Sequence, residues 1–339
     1  MSEYKINTHT LTTVLSKMLS TDIASADYQA KALEGGTIGN VLLVTGTAYA
    51  TGGKALPYSV VYKKTAKFKR HNDPDSWRRE YDLYASELGT VFSESLRWPM
   101  CYHSEISSEE NQLWLEYIPG VTGLDMTPHM CTQAAHELGR LQGKLYATQP
   151  GVLQSLTNLS NTGYLKSFYT NYRTWPEVYD YIRNSECELP KELCKMLVDI
   201  DEQADEIFQR IEKLPIVLCH RDFWVTNILC TPEKIALIDW DTTGWGYFGE
   251  DIASLIADDA DIAYMVENFI TCIPAYYKGF AEYADISHIK DNCVYEIILL
   301  MYGYRTVEGY KFAKTPEDKM LCLSTLQKMY EMKAVRVCC

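Results

Sequence analysis

The chain has 339 residues, 47% of them hydrophobic and 23% charged, a mix that supports a globular core and excludes a disordered chain. Its 19 Gly and 12 Pro are too few for a collagen-like or low-complexity sequence. Lys and Arg number 32 against 45 Asp and Glu, and the formal charge of −13 disfavours a nucleic-acid surface, which needs a concentrated positive field. Residues 8–20 mix apolar and polar positions at helical spacing and predict an opening helix. From Tyr28 to Lys64 the texture turns to short β-type runs, Val41-Leu42-Leu43-Val44 and Ser59-Val60-Val61-Tyr62, with Gly46 and Gly52-Gly53 marking the turn region between them. Arg78 to Leu88 sets Tyr81, Tyr84 and Leu88 at spacings of three and four, a helical pattern. Trp98 to Tyr102 and Leu113 to Tyr117 predict two further strands, and Ile118-Pro119-Gly120 breaks the second. Beyond it helices are expected over 130–147, 163–182, 190–213, 249–257, 262–282, 288–301 and 316–333. Ile216-Val217-Leu218 and Ile235-Ala236-Leu237-Ile238 have the length of buried strands, and each leads straight into charged residues.

These elements predict an α+β chain in two lobes, in keeping with its length. A small β-rich lobe spans 1–117, an inter-lobe linker 118–122, and a larger helical lobe 123–339. No run approaches the roughly 20 apolar residues of a membrane span. Met1-Ser2-Glu3-Tyr4-Lys5 has neither the basic start nor the cleavage site of a secretory signal. The 11 Cys are scattered, with no CxxC and no spaced His or Cys partners near Cys338-Cys339, so they read as reduced thiols of a cytoplasmic protein.

The chemistry concentrates in Leu218-Cys219-His220-Arg221-Asp222-Phe223-Trp224-Val225-Thr226-Asn227, followed by Ile238-Asp239-Trp240-Asp241 and then Gly249-Glu250-Asp251-Ile252-Ala253. An Asp five residues before an Asn, then a strand ending in Asp, then Gly-x-Asp-Ile-Ala resembles the core of the aminoglycoside phosphotransferase and choline kinase group. The resemblance covers about Leu33 to Leu255 and implies a protein-kinase-like fold, with a nucleoside triphosphate, ATP or GTP, in the cleft between the lobes. It implies that Asp222 accepts the substrate hydroxyl's hydrogen bond and takes its proton late. Asn227 and Asp239 are hard oxygen ligands suited to Mg²⁺. His220 and Arg221 are expected to support the catalytic loop, His220 through hydrogen bonds. Read one at a time, the same residues are ordinary caps and turn formers; their order along the chain is what carries the signal.

A kinase also needs a strand Lys for the α and β phosphates and a helical Glu to hold it. Lys63 ends the Ser59–Tyr62 run; Lys64 would point to the opposite face of the strand, so only one of them can serve. The resemblance favours Lys63, and Arg79-Glu80-Tyr81-Asp82-Leu83-Tyr84 resembles the family's helix and favours Glu80 over Asp82 or Glu87. Gly35-Gly36-Thr37-Ile38-Gly39-Asn40 lies where a turn would cover the phosphates, though a plain hairpin turn reads equally well. Leu113-Trp114-Leu115-Glu116-Tyr117-Ile118-Pro119-Gly120 resembles the family's linker, in which the backbone of Glu116 and Ile118 would meet the purine edge. No GxxxxGK[ST] loop is present.

Arg221 stands where the small-molecule enzymes usually have Gly, and it produces the His-Arg-Asp string of protein kinases. Only about ten residues then separate Asp239 from Gly249, too few for a regulated peptide-binding platform. Candidate substrate residues are Asp241, Trp245, Asp258, Asp259 and Glu267. Carboxylates there would bind amines and aromatic rings a sugar or cation; solvated charges and core packing are the ordinary alternatives. The expected activity is transfer of the γ-phosphate of ATP or GTP to a hydroxyl of a small, cationic substrate, an aminoglycoside-type or other amino-bearing metabolite. A choline or ethanolamine acceptor comes second, and a non-catalytic nucleotide-binding protein on a kinase fold is the alternative of another class. No nucleic-acid or membrane partner is expected, and the oligomeric state stays open.

Overall fold

Helix α1 (Thr8–Leu19) opens the computed structural model, which describes residues 5–33, 39–69, 73–93, 95–259, 261–289 and 293–335. Asn7 caps it by accepting from the backbone N–H groups of His9 and Thr10, at 3.0 and 3.2 Å. Strands β1 (Ile23–Ala26), β2 (Gln29–Ala32), β3 (Asn40–Ala50) and β4 (Ala55–Ala66) follow. Next come helix α2 (Ser76–Ala85), the short β5 (Leu96–Arg97), and β6 (Cys101–Ile106) with β7 (Glu110–Glu116). Six of the strands make one antiparallel sheet, ordered β1-β3-β4-β7-β6 with β2 also on β3. Leu11, Val14 and Leu15 of α1 pack on Leu42, Val44, Tyr58 and Val60 of the sheet.

The runs at Val41 and Ser59 are the centres of one long hairpin, whose turn falls at Gly52-Gly53. Gly46 corrects the sequence reading: it lies inside β3, where a Cβ would come 2.2 Å from the Asp27 carbonyl oxygen. A glycine that looks like a turn is there to let a loop approach a strand. The strand expected at Trp98 is displaced to Cys101–Ile106, because Pro99 lacks a donor and Trp98 packs with Tyr84, Phe92 and Trp240.

After the linker comes α3 (Pro128–Thr148), and then α4 (Val152–Ser155), α5 (Tyr164–Arg173), α6 (Pro176–Tyr179), α7 (Lys191–Glu202) and α8 (Ala204–Ile211). The helix expected over 163–182 is broken by Pro176, which holds Trp175 in an extended conformation; that over 190–213 divides at Gln203. Strands β8 (Ile216–Cys219), β9 (Ile228–Cys230), β10 (Ile235–Leu237) and β11 (Gly244–Tyr247) carry the polar segments between them. They are followed by α9 (Glu250–Ala257), α10 (Met265–Ala281), α11 (Val294–Ile298), α12 (Tyr304–Lys311) and α13 (Pro316–Met332). A π turn over Leu299–Gly303 joins α11 to α12, so the helix expected at 288–301 begins later and runs to Lys311.

The result is α+β with a sheet lobe and a larger helical lobe, as the sequence predicts. Main-chain pairing stitches the two parts together. β5 lies parallel to β10, and Val121 exchanges two 2.8 Å hydrogen bonds with Cys230. Among the described residues nine Cys are free thiols, and no helix is long and apolar enough to cross a membrane. Cys338 and Cys339 lie outside the described residues.

Candidate active site

Strand alternation decides between the two adjacent lysines. Lys63 turns inward and is buried, while Lys64 turns to the other face and pairs with Glu110 at 2.8 Å. The Lys63 Nζ lies 2.5 Å from Glu80 Oε2 on α2 and 2.5 Å from Asp239 Oδ1 at the end of β10. Burial works against the charge on Lys63, but Asp239 and Glu80 outweigh it and raise its pKa, so the ammonium is firmly held. Glu80 is also raised, because burial costs its carboxylate more than Lys63 returns. With both contacts at 2.5 Å, the ion pair is the state the geometry supports. Asp239 has a left-handed backbone at φ +64° and leaves 35% of its side chain exposed, so it can still present oxygen to the cleft.

The segment expected to be the catalytic loop runs from β8 to β9. Asn227 Nδ2 donates to the Asp222 carbonyl at 3.0 Å and to its carboxylate Oδ2 at 2.8 Å. That bond orients both side chains and turns the Asn227 amide oxygen away from Asp222. Behind the loop, buried Asp251 accepts from the His220 N–H at 2.9 Å, the Arg221 N–H at 2.8 Å and Gln142 Nε2 at 2.9 Å. Burial pushes Asp251 up to about 6 despite these donors. Neither ring nitrogen of His220 makes a well-formed hydrogen bond among the described residues, and the ring sits edge-on to Trp240, 4.5 Å between centroids. Burial lowers its pKa to about 4, against the pull of Asp239 and the nearby backbone of Ile238 and Asp222. Its ring lies within reach of the Ile238 and Asp222 backbone, and its main-chain N–H is held by Asp251.

No group of three His, Cys, Asp or Glu side chains among the described residues could hold a metal. Asn227 and Asp239 nevertheless offer two hard oxygens, which fits Mg²⁺, an ion that keeps several waters and takes its remaining ligands from phosphate. At the linker, the Glu116 carboxylate is engaged by Arg97, at 2.5 and 2.9 Å, and the Glu116 N–H donates to the Met100 carbonyl at 2.8 Å. The Glu116 N–H is thereby taken up within the sheet lobe. Ile118 is buried, and no backbone partner engages it among the described residues.

A sequence profile described as the phosphotransferase enzyme family matches residues 61–283. The chain belongs to that family. Among solved structures, a microcompartment-associated aminopropanol kinase is similar over 94% of each chain at 13% identity, with a TM-score of 0.58. The GDP complex of aminoglycoside 2'-phosphotransferase-IIIa is similar over 96% of this chain and 98% of that one, at 15% identity and 0.58. A choline kinase from Cryptosporidium parvum Iowa II covers 90% of each chain at 15% identity and 0.56. At such identities the likeness carries the protein-kinase-like two-lobed fold. No curated protein sequence matches the chain.

Within this phosphotransferase, Arg221 departs most from a bare Gly. Its backbone is left-handed at φ +66°, a conformation that suits Gly. The side chain compensates by donating to Ser160 Oγ at 2.5 Å, the Asn161 carbonyl at 2.8 Å and the Trp245 carbonyl at 2.5 Å, with Tyr164 stacked against it. Glu250, 3.7 Å from Arg221 Nε, is pushed up to about 7 by burial.

The substrate candidates do not converge. Asp241 is buried just after Asp239, close enough to act on the Lys63 charge. Asp258 and Asp259 line a cavity of about 500 Å³ with Asp261, Tyr302, Arg305 and Leu124. Trp245 instead lines a separate groove with Tyr146 and His288, beside the start of β8, because strand pairing with Leu218 sets its direction. Glu267 sits on the exposed face of α10, outside that cavity. Of the Gly35–Asn40 turn, only Gly39 and Asn40 are among the described residues. The residues missed are Arg305, which pairs with Asp258 at 2.6 Å, and Arg79. Arg79 stood beside Glu80 in the quoted motif; nothing local marked Arg305.

Proposed function

We propose that this chain transfers the γ-phosphate of ATP or GTP to a hydroxyl of a small amino-bearing molecule. The observation that carries the reading is the Lys63 ammonium, within 2.5 Å of carboxylates from α2 and from the end of β10. That geometry fits a cation aimed at nucleotide phosphates, with Glu80 as its anchor. Asp222, oriented by Asn227, accepts the hydrogen bond of the acceptor hydroxyl and receives its proton late, as charge has already built on the transferred group. Lys63 neutralises charge on the α and β phosphates, and the backbone about Glu116 and Ile118 meets the purine. Asn227 and Asp239 would hold Mg²⁺, which when bound neutralises phosphate charge. Nucleoside triphosphate supply fits a cytoplasmic location.

The cavity lined by Asp258, Asp259 and Asp261 supports an amine on the acceptor. Asp258 pairs with Arg305 at 2.6 Å and Asp259, two-thirds exposed, lies 3.6 Å from the same guanidinium, so Asp261 and the outer oxygen of Asp259 are left for that role. A quaternary ammonium fits less well, because the Arg305 guanidinium stands over the Tyr302 ring at 5.9 Å, where such a cation would stack. The test is nucleoside-diphosphate release with Mg²⁺ and ATP or GTP against amino sugars, amino alcohols and plain alcohols, with Asp222→Asn as the blank. Acceptor-dependent release that disappears in the variant supports the reading. Nucleotide binding without turnover on any acceptor would instead favour a binding protein on a kinase fold.

A further inference from the structure

We infer that Arg79 is a positioning residue, which with Asn158 clasps the two lobes so that Glu80 is held against Lys63 without any activating event. The inference rests on the kinase reading of the same site. Arg79 is 3% exposed and spreads its guanidinium over three separate pieces of chain. Its Nε donates to the Asn158 carbonyl at 2.8 Å, Nη1 to the Asp241 carbonyl at 2.9 Å, and Nη2 to the Asp73 carboxylate. Asp73 precedes α2, Asn158 lies between α4 and α5, and Asp241 follows Asp239 by two residues. One side chain therefore ties the helix that carries Glu80 to the turn that carries Asp239.

Asn158 closes the ring from the other side. Its Nδ2 donates to the Asp75 carbonyl at 3.1 Å and to Asp82 Oδ2 at 2.8 Å, so α2 is gripped at its start and two turns along. Two residues on, Ser160 and Asn161 accept from Arg221 of the catalytic loop, and the Trp245 N–H donates to the Ser160 carbonyl at 2.9 Å. Residues 158–161 thus join α2, the catalytic loop and the turn after Asp239. In protein kinases, positioning of the helix bearing the Glu is a controlled step, often through a phosphorylated loop. Here the Arg of the His-Arg-Asp string has a side chain only 1% exposed, with its guanidinium enclosed by Ser160, Asn161 and the Trp245 carbonyl. It has no face to offer an added phosphate. The inter-lobe clasp takes the place of that control.

The decisive experiment is a double-mutant cycle on the full chain, with Mg²⁺ and ATP as the probe and slow ATP hydrolysis as the readout. Arg79→Lys keeps the charge but can reach only one of the three acceptors. It is expected to lower kcat at least tenfold, at a temperature well below its melting point. Placed on Glu80→Gln, the same change is expected to cost less than threefold, because the residue it acts through is already gone. A purely structural role would lower the melting temperature and leave the effects on kcat additive. If Arg79→Lys does not fold, Asn158→Ala enters the same cycle with the same expectation. Wild-type-like kcat in the single variant, or additive losses, would overturn the clasp while the kinase reading stands. Absence of turnover in the wild type, both with ATP alone and across the acceptor panel, overturns the kinase reading and the clasp with it.

Discussion

At the residue scale, the site depends on charges kept in their required states by burial and by specific neighbours. Asp222→Asn keeps the shape and the Asn227 contact but removes the proton acceptor. Phosphoryl transfer should fall by about 10²–10⁴-fold, with ATP affinity changed no more than about threefold, as isothermal titration would report. Asp239→Ala should lose Mg²⁺-dependent turnover while the far-ultraviolet circular dichroism stays unchanged; undiminished turnover in the folded variant would refute the metal assignment. His220 carries a pH prediction. Its folded pKa of about 4 lies below the unfolded value of 6.5, so the unfolded chain binds the proton first and stability is lost as pH falls from 6.5 to 4. The loss is about 3 kcal/mol. Glu250 and Asp251, raised to about 7 and about 6, act with the opposite sign, because their protonated forms are favoured in the folded state as pH falls through those values. Removing the imidazole with His220→Phe should therefore leave the acid-favoured carboxylates unopposed. Its melting temperature should drop less between pH 7 and pH 5 than that of the wild type.

At the element scale, the two longest-packed helices of the helical lobe meet backbone to backbone. A Cβ on Gly139 of α3 would stand 2.2 Å from the Tyr276 carbonyl oxygen of α10, and one on Gly279 of α10 would stand 2.1 Å from that of His136. Neither neighbour is a flexible side chain, so the helices must separate. Gly139→Ala should lower the unfolding free energy by about 1–3 kcal/mol, the range typical of overpacking, as a shifted denaturation midpoint. Gly52→Ala, where a Cβ meets nothing within 4 Å, should leave stability within about 0.5 kcal/mol. The same element logic explains where the sequence was readable. Apolar periodicity located α1, α3, α9 and α13 to within a few residues. It could not distinguish a Gly inside β3 from a turn Gly, nor foresee the division of 190–213 at Gln203, since neither leaves a mark on the apolar pattern.

At the scale of the whole molecule, the cleft is a shared surface whose ligand should stabilise both lobes together. A ligand bound only by the folded state adds about 2.7 kcal/mol at a concentration 100 times its dissociation constant. Mg²⁺·ATP should therefore raise the melting temperature by several degrees, and Lys63→Ala, which removes the ammonium between Glu80 and Asp239, should abolish most of that rise. An equal rise in the variant would place the nucleotide elsewhere.

The sequence by itself determined the local parts: that only one of Lys63 and Lys64 can face inward along β4, the Asp222–Asn227 spacing that lets one side chain hold the other, and the strand ends that present Asp239. Those follow from strand alternation and from bonds between near neighbours. Only the tertiary structure decided how they are held. The contact of Arg79 with Asp241 spans 162 positions and that of Arg221 with Ser160 spans 61. It likewise sent Trp245 to one groove, Asp258 to another cavity, and Glu267 to the surface. Pairings across such distances are set by which faces pack together, and residue type at a single position does not encode that.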